Sequence, residues 1–503
     1  MNSPSREDAR WASSIRPAPA VAATPLPGSF GLTIDPATTT LDGGRVLMGG
    51  SPLRLLRITT RAGDLVRRWE AGAVVGTRPS EQTLARRLVA SGVFVPRPGP
   101  PDLGPDDVTV VIPVRDRPEQ LQRLLSALKG LRCVVVDDGS AQAADTRRIA
   151  EEAGVELIAL ATNSGPSTAR NAGLAAVATP LVVFIDSDCV PVEGWLEPLL
   201  RHFNDPMVAA VAPRIAPIPV SPATPLARYE AVRSSLDRGP VAGVVRPLSR
   251  IPYVPSAALV VRRAAVGDDL FDPALRGGED VDLVWRLSGA GWDVRYEPGA
   301  TVQHDGPRDV GSWLRRRAFY GTTAGPLARR HPDYLSPLHT SAWTAAVWGL
   351  AAARRPLLSA GVWATSIAVL ARRLHGLVDQ PVQVAARIAG GGTARSALPA
   401  LSGLTRAWSP AMLLGLCWPR TRRLAGLALL APALRDWATT PGDLDPVRYA
   451  AFHVADDLAY GAGVWLGCLQ ARTVTPLRPR VAFRARVWSN TSLRSQLGDE
   501  KER

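Results

Sequence analysis

Three apolar stretches decide the fold: VTVVIPV at 108–114, RCVVVDDGS at 132–140 and PLVVFIDSD at 180–188. Each is typical of a buried strand, and the segments between them carry apolar residues at helical spacing. Strands that alternate with helices predict a parallel sheet covered by helices on both faces. The central part of the chain is therefore predicted to be an α/β domain with a nucleotide-binding layout.

Acidic residues directly follow two of these strands. Asp138 lies in DDGS at 137–140, and Asp186 and Asp188 lie in IDSD at 185–188. Ligands of open α/β sheets bind beyond the carboxyl ends of the strands, where a carboxylate can accept hydrogen bonds from a base or ribose. Two carboxylates one residue apart can also share a hard divalent cation. The motifs predict a base contact at Asp138 and a Mg²⁺ or Mn²⁺ site at the DxD pair, although Asp-Gly is also a common turn pair.

A third acidic motif is GGEDVDLVWRL at 277–287. Its glycines precede Glu279 and Asp280 at a predicted helix start, where acidic residues face the positive end of the helix dipole. Removing a proton from an acceptor hydroxyl requires one carboxylate within hydrogen-bond reach. Asp280 is the candidate base, and N-terminal helix capping is the alternative interpretation for either acid.

In this order and spacing, the motifs resemble those of family 2 glycosyltransferases of the GT-A fold. The resemblance covers about residues 108–310 and includes VIPVRDRPEQLQRLLSAL at 111–128 and NSGPSTARNAG at 163–173. It implies a Rossmann-like mixed sheet, a nucleotide-sugar donor and one inverting in-line displacement. A glycosidase, by contrast, uses two carboxylates flanking the bond and has no need of a DxD motif or a base-binding aspartate.

The resemblance also implies roles for individual residues. Asp280 is the implied catalytic base, and Asp188 is the firmest metal ligand, with Asp186 beside it. His304, in VQHDG, lies where some family members place a further metal or diphosphate ligand, although a lone histidine is more often structural. The implied nucleotide-sugar-binding residues are Pro113, Asp116, Asp138, Gly165, Arg170, Asn171, Asp186 and Glu279.

The regions before this domain divide the chain further. Residues 1–30 are rich in Pro, Ala and Ser and are predicted to be a mobile leader. Residues 31–98 resemble the winged-helix-like domains of the PqqD type, which bind leader peptides of ribosomally made, modified peptides. That implies contact with a leader peptide or partner protein, while a dimerisation or packing module stays open. Residues 99–107 form a Pro/Gly linker, and the transferase domain is expected over 108–330.

The last third of the chain has a different character. Residues 331–475 contain alanine-rich and aromatic runs separated by arginines, such as TSAWTAAVWGLAAA at 340–353 and PLLSAGVWATSIAVLA at 356–371. These runs are shorter than, or barely equal to, the roughly 20 apolar residues of a spanning helix. Tryptophan and arginine both favour headgroup level, so a membrane-associated helical region is predicted, with a soluble bundle as the alternative. Residues 476–503 form a basic polar tail.

Composition limits the class of protein. A chain of 503 residues is too long for one core. Its net charge of +14 suggests anionic partners such as nucleotides or an acidic membrane surface, although high-GC coding also enriches arginine. No nucleic-acid partner is expected. The four cysteines form no CxxC pair, and the N-terminus lacks the apolar run of a signal peptide. The predicted location is the cytoplasm or the cytoplasmic face of the membrane, without secretion.

The three parts together resemble the glycosyltransferases of mycofactocin systems, which decorate a small redox cofactor derived from a ribosomal peptide. This implies transfer of a hexose, glucose from UDP-glucose, to a hydroxyl of the cofactor precursor, building a β-linked oligosaccharide. A membrane glycosyltransferase acting on a lipid or cell-wall polysaccharide is the second hypothesis. A non-catalytic peptide-binding adaptor is the third, and the intact DDGS, DSD and GGED motifs disfavour it.

Overall fold

The computed structural model describes residues 14–20, 24–50, 53–307, 309–440 and 442–482. The chain forms two compact units, each built from segments that are distant in sequence. Unit 1 comprises Met1–Thr33 and Trp69–Trp313, and unit 2 comprises Ile34–Arg68 and Leu314–Arg503. The boundary at Trp313 lies before the end of the transferase domain expected at residue 330.

The first elements of the chain are short. They are β1 (Gly31–Ile34), β2 (Thr39–Leu41), β3 (Val46–Gly49), β4 (Arg54–Arg57), α1 (Thr60–Glu70), α2 (Pro79–Ser91) and β5 (Phe94–Arg97). β1 pairs with β5, and β2, β3 and β4 form a separate antiparallel sheet.

Residues 31–98, expected to form one small domain, are divided between the two units. In unit 2, Val46 and Met48 of β3 lie in an apolar cluster with Leu374 and Val384. In unit 1, Arg86 of α2 forms an ion pair with the buried Asp205. The apolar face of the small sheet is thus buried by the C-terminal region. A role for residues 31–98 in contacting a leader peptide stays a prediction.

Part of the segment predicted to be a mobile leader is attached to unit 1. Ile15 forms an antiparallel bridge with Val266, and the carbonyl of Arg16 accepts a 2.7 Å hydrogen bond from Trp292 Nε1. Leu26 is completely buried. Backbone hydrogen bonds and one buried leucine therefore attach this Pro-rich segment to unit 1. Residues 1–13 and 21–23 lie outside the described part of the chain.

The central elements follow the alternation expected from the sequence. The strands are β6 (Val108–Val114), β7 (Arg132–Asp137), β8 (Glu156–Ala159), β9 (Leu181–Ile185), β10 (Cys189–Pro191), β11 (Val208–Pro217), β12 (Gly243–Val245), β13 (Ala258–Arg262) and β14 (Asp293–His304). The helices are α3 (Pro118–Ala127), α4 (Ala143–Ala153), α5 (Pro166–Ala175), α6 (Leu196–Leu200), α7 (Pro225–Arg233) and α8 (Glu279–Gly289).

These strands form one mixed sheet in unit 1. Its order is β10-β14-β11-β13-β9-β6-β7-β8, with β12 paired to β14. Strands β6, β7, β8 and β9 run parallel, whereas β13 is antiparallel to both β9 and β11. Every residue of β9 is buried, as a strand covered on both faces requires. The α/β fold class with a Rossmann-like mixed sheet is confirmed, and the acidic motifs that follow β7 and β9 lie at one edge of it.

Unit 2 is largely helical after residue 314. Its helices are α9 (Val310–Thr322, which begins in unit 1), α10 (Ala324–Arg330), α11 (Ala342–Ala352), α12 (Pro356–Leu374), α13 (Pro381–Ala385), α14 (Gly391–Arg395), α15 (Ala397–Arg406), α16 (Ser409–Cys417), α17 (Arg422–Thr439) and α18 (Pro446–Gln470). A short parallel pair joins β15 (His339–Ser341) to β16 (Arg480–Ala482). The basic tail predicted from residue 476 thus contains β16, and residues 483–503 lie outside the described chain. Among the described helices, α12 passes a length and hydropathy test for crossing a membrane.

Candidate active site

Asp138 anchors the loop before α5. Its Oδ1 accepts a hydrogen bond of 2.6 Å from the Ser164 backbone N–H, and its Oδ2 accepts one of 2.9 Å from Gly165. Gly165 has φ of 88°, in the left-handed region where a side chain would be strained. The residue predicted to contact the base therefore also fixes the loop predicted to surround the donor.

Asp116 holds the turn that follows β7. Its Oδ1 accepts a 2.7 Å hydrogen bond from the Ala141 backbone N–H, and its own N–H donates to Ser140 Oγ at 2.9 Å. Pro113 pairs with Val136 in the neighbouring strand. The structure thus brings Pro113, Asp116 and the end of β7 to one edge of the sheet. A flat base inserted there would meet polar backbone and carboxylate groups.

Arg170 connects the two halves of the site. Its Nη2 donates to Asp186 Oδ1 at 2.6 Å, and its Nη1 donates to Glu279 Oε1 at 2.9 Å. The side chain is 3% exposed and lies over the ring of Phe271. Although burial opposes ionisation, the two carboxylates raise the pKa of Arg170 above its usual range. A permanently charged guanidinium therefore ties the DxD motif to the start of α8.

Asn171 is hydrogen-bonded to the backbone of a neighbouring segment. Its Nδ2 donates to the Phe271 carbonyl at 2.7 Å, while its Oδ1 accepts from the backbone N–H groups of Leu270 at 3.1 Å and Phe271 at 2.9 Å. The side chain is buried. These bonds brace the segment that stacks on Arg170, and the donor-binding role of Asn171 stays a prediction.

Asp188 lies between two basic side chains. Arg117 Nη1 donates to its Oδ2, and His304 Nε2 lies 3.6 Å from its Oδ1. His304 reaches this point because it pairs with Cys189 across β10 and β14. The predicted proximity of His304 to the DxD motif is therefore seen in the structure. Arg117 was not singled out as a site residue from the sequence. The available signal was the pair of arginines that flank Asp116 directly after β6.

Asp188 and His304 are two potential ligands of a divalent cation that lie side by side. Carboxylate oxygen and imidazole nitrogen are both ligands for Mn²⁺, and Mg²⁺ prefers oxygen. Asp186 directs Oδ1 at Arg170, so the two carboxylates of the motif do not converge. Burial and the neighbouring Asp188 raise the pKa of Asp186 against the opposing effect of Arg170. Within the described ranges, no group of three or more potential ligands is already assembled.

Asp280 has the properties of a tuned base. It lies in the first turn of α8, after Gly278 at φ of 79°. Its Oδ1 accepts a 2.7 Å hydrogen bond from the Val281 N–H, and its Oδ2 lies 3.4 Å from the Ser256 N–H. Burial, reinforced by the adjacent Glu279 charge, raises the pKa of Asp280 to about 7. A carboxylate with this pKa can accept and release a proton near neutral pH.

Comparison with known proteins agrees with this fold. Residues 109–265 match the family described as glycosyl transferase family 2. The matched region includes Asp138, Asp186 and Asp188 but ends before Asp280 and His304. The mixed sheet, the DxD motif and this match together define the chain as a family 2 glycosyltransferase.

Similar proteins place the chain in a narrower group of glycosyltransferases. The pre-mycofactocin glycosyltransferase of Mycobacterium tuberculosis, found in two strains, is 40% identical over 474 residues, covering 91% of this chain and 99% of the relative. The chain belongs to the family of these mycofactocin-system glycosyltransferases. An uncharacterized glycosyltransferase of Mycobacterium bovis is 31% identical over 199 residues, covering 38% of this chain and 86% of the relative.

The solved structures that resemble the chain are remote. The crystal structure of residues 1–349 of S. aureus TarS is 20% identical over 43% of this chain and 65% of its own, with a TM-score of 0.32. A likeness of this size carries no argument about the site. The positions of the active-site residues therefore rest on the geometry given above.

Proposed function

We propose that this chain transfers a hexose, glucose from UDP-glucose, to a hydroxyl of a mycofactocin precursor, inverting the anomeric centre and building a β-linked oligosaccharide. The main support for this proposal is that the chain aligns with 99% of the length of the pre-mycofactocin glycosyltransferases. The acceptor is a small molecule derived from a ribosomal peptide, and residues 31–98 are the proposed contact for a leader peptide or partner protein.

The acceptor half of the site contains the proposed base. Asp280 removes the proton of the attacking hydroxyl as its oxygen bonds to the anomeric carbon on the face opposite the diphosphate. Glu279 raises the pKa of Asp280 and is itself held by Arg170. A general base whose pKa lies near neutral pH increases the rate by a factor of about 10² to 10⁴.

The donor half contains the binding groups. Asp138 and Asp116 shape the base pocket by holding the loops at residues 164–165 and 140–141. Asp188 and His304 would hold a Mg²⁺ or Mn²⁺ ion, with Asp186 supported by Arg170 behind them. When bound, the ion supplies Lewis-acid neutralisation of the leaving diphosphate. Arg117 offers a second positive charge at the same carboxylate.

Two substitutions test these roles separately. Asp280→Asn is expected to reduce transfer at least about 100-fold while UDP binding is unchanged, because it removes the base alone. Asp188→Ala is expected to weaken UDP binding in the presence of Mn²⁺ and to leave metal-free UDP binding unchanged. Transfer is measured by mass spectrometry of the precursor, and binding by calorimetry. The exposed Glu193→Gln serves as a charge-removal control. Parental activity in both variants would overturn the assignment.

A lipid or cell-wall acceptor is the second candidate. It is favoured by the large apolar side chains that unit 2 exposes on α12, α16 and α17, including Leu357 at 87% and Leu414 at 72%. A competition assay that offers UDP-glucose with both the mycofactocin precursor and a polyprenyl phosphate separates the two. Glucosylation of the precursor supports the first proposal, and exclusive glucosylation of the lipid replaces it with the second.

A further inference from the structure

Helix α17 is amphipathic in the reverse sense of a soluble protein. Its buried residues are small, namely Ala425, Ala428, Pro432 and Ala433. The opposite face carries large apolar side chains at spacings of three and four residues, each between 38% and 64% exposed: Leu424, Leu427, Leu430, Leu434 and Trp437. We call this row the outer stripe of α17. Removing a leucine side chain from water stabilises a fold by about 2 kcal/mol. A surface that faces water therefore does not explain why these side chains point outward.

Two other helices of unit 2 also expose large apolar side chains, although Leu374 of α12 and Met412 of α16 are buried. In α12, Ser359 and Ser366 are buried, while Leu357 and Leu358 are 87% and 58% exposed. The Ser359 hydroxyl is satisfied inside the unit, since it donates to the Val347 carbonyl at 2.8 Å. In α16, Leu413, Leu414 and the following Trp418 are exposed. The outward apolar surface is therefore a property of several helices.

Glycines bring the helices of unit 2 into backbone contact. Gly321 and Gly325 are spaced by four in the α9–α10 region, and Gly463 and Gly467 repeat that spacing in α18. A Cβ at Gly467 would lie 2.2 Å from the Thr322 carbonyl oxygen. Small residues inside with large apolar residues outside are the packing pattern of helices surrounded by lipid.

Arginines and tryptophans border this surface. Residues 341–440 contain eleven arginines and no lysine, against two aspartates and no glutamate. Arg420, Arg422 and Arg423 are exposed at the turn between α16 and α17, beside Trp418 and Leu424. Tryptophan and arginine both favour the headgroup level of a bilayer, and clustered arginine attracts anionic lipid.

We propose that the outer stripe of α17, with Leu413, Leu414 and Trp418 of the α16 end, inserts into one leaflet of a bilayer that carries anionic headgroups. The neighbouring arginines favour anionic lipid as the partner of this surface. A second copy of this chain would be repelled, because it is equally basic. The helix lies in the interface, because its leucines occupy one face only and charged residues occupy both ends. This proposal is independent of the sugar and acceptor assigned above.

Vesicle flotation with the full chain tests the proposal. The parent is expected to float with vesicles of phosphatidylcholine and phosphatidylglycerol at 3:1 and to bind pure phosphatidylcholine more weakly. The double substitution Leu424→Glu with Leu427→Glu is expected to lower binding to the mixed vesicles by at least about tenfold, because it places two charges at the buried depth. Arg422→Gln with Arg423→Gln is expected to lower binding to the mixed vesicles about tenfold and binding to neutral vesicles much less.

A matched control separates the stripe from exposed apolar residues in general. Val74 and Val220 lie in unit 1 and are 52% and 53% exposed, so Val74→Glu with Val220→Glu adds the same charge at comparable exposure. This control is expected to float like the parent. Far-UV circular dichroism and UDP binding confirm that each variant is folded.

The outcomes are distinct. Loss of flotation in the leucine variant and reduced flotation with mixed vesicles in the arginine variant, with the control unaffected, support the proposal. A parent that does not float, or a leucine variant that floats equally well, overturns it. Sedimentation of the parent as a dimer that the leucine variant converts to a monomer, without vesicle binding, overturns it in favour of an interface between two copies.

Discussion

At the scale of single residues, a row of charged side chains joins the DxD motif to the proposed base. Arg170 neutralises Glu279, and Glu279 lies beside Asp280 at the start of α8. Because Arg170 also donates to Asp186, one guanidinium joins the DxD motif to the residue beside the proposed base. The observed partners of Arg170 are these two carboxylates, and its contact with the nucleotide sugar stays a prediction.

The charge of Glu279 is expected to shift the acidic limb of the pH profile toward higher pH, in addition to the larger effect of burial. Burial contributes most to the raised pKa of Asp280, and Glu279 raises it further, so kcat/KM should fall as the pH drops below about 7. Glu279→Gln keeps an acceptor for Arg170 but removes the charge, which lowers the pKa of Asp280. The limb should move to lower pH, so that the variant retains more of its maximum at pH 6 than the parent.

The control for this prediction is Glu193→Gln, which removes a charge from an exposed position of the same unit. It should leave the limb in place. An unchanged limb in Glu279→Gln would assign the titration to another group.

At the scale of elements, glycine decides how closely α18 approaches its neighbours. A Cβ at Gly463 would lie 1.9 Å from the Ala318 carbonyl oxygen, and a Cβ at Gly467 would lie 2.2 Å from that of Thr322. Helix propensity favours alanine over glycine by about 1 kcal/mol, so these glycines are retained against the local preference. The close approach of the backbones is the reason.

Two alanine substitutions should consequently have opposite effects on stability. Gly467→Ala is expected to lower the free energy of unfolding of unit 2 by about 1 to 3 kcal/mol, because the new Cβ overlaps a carbonyl oxygen. Gly426→Ala in α17 has open space around its Cβ and is expected to be neutral or to raise it by up to about 1 kcal/mol. Denaturant unfolding followed by circular dichroism measures both, and equal effects would contradict the packing argument.

At the scale of the whole molecule, the proposed active site and the proposed membrane-binding surface belong to different compact units. Unit 1 contains every proposed catalytic and binding residue between Pro113 and His304, and unit 2 contains the outer stripe of α17. Each unit has its own apolar clusters, such as that around β6 and β9 in unit 1. Ligands of one unit should therefore stabilise that unit.

Calorimetry of the full chain is expected to show two thermal transitions. UDP with Mn²⁺ at about 100 times Kd adds about 2.7 kcal/mol to the unit that binds it. That energy should raise the Tm of one transition by roughly 5 °C and leave the other unchanged. Asp188→Ala should lose the shift. A single transition that UDP raises as a whole would show instead that the units unfold together.

Local patterns were sufficient for the strands of the central sheet and for its acidic edge. VTVVIPV, RCVVVDDGS and PLVVFIDSD predict β6, β7 and β9 because a strand buried on both faces must be continuously apolar. The spacing of DDGS, DSD and GGED predicts that Asp138, Asp188 and Asp280 share one site, because strand ends and helix starts converge at one edge.

Tertiary structure decided which partner each of these side chains has. Arg117 meets Asp188 across 71 residues of sequence, Arg170 meets Glu279 across 109, and Asn171 turns to the backbone at Phe271. It also placed β3 with the C-terminal helices and tied Ile15 to unit 1. The sequence by itself determined the fold class, the acidic motifs and the apolar character of the last third, since these follow from local periodicity. Partners, pKa values and the outward face of α17 depend on long-range packing, which local periodicity does not encode.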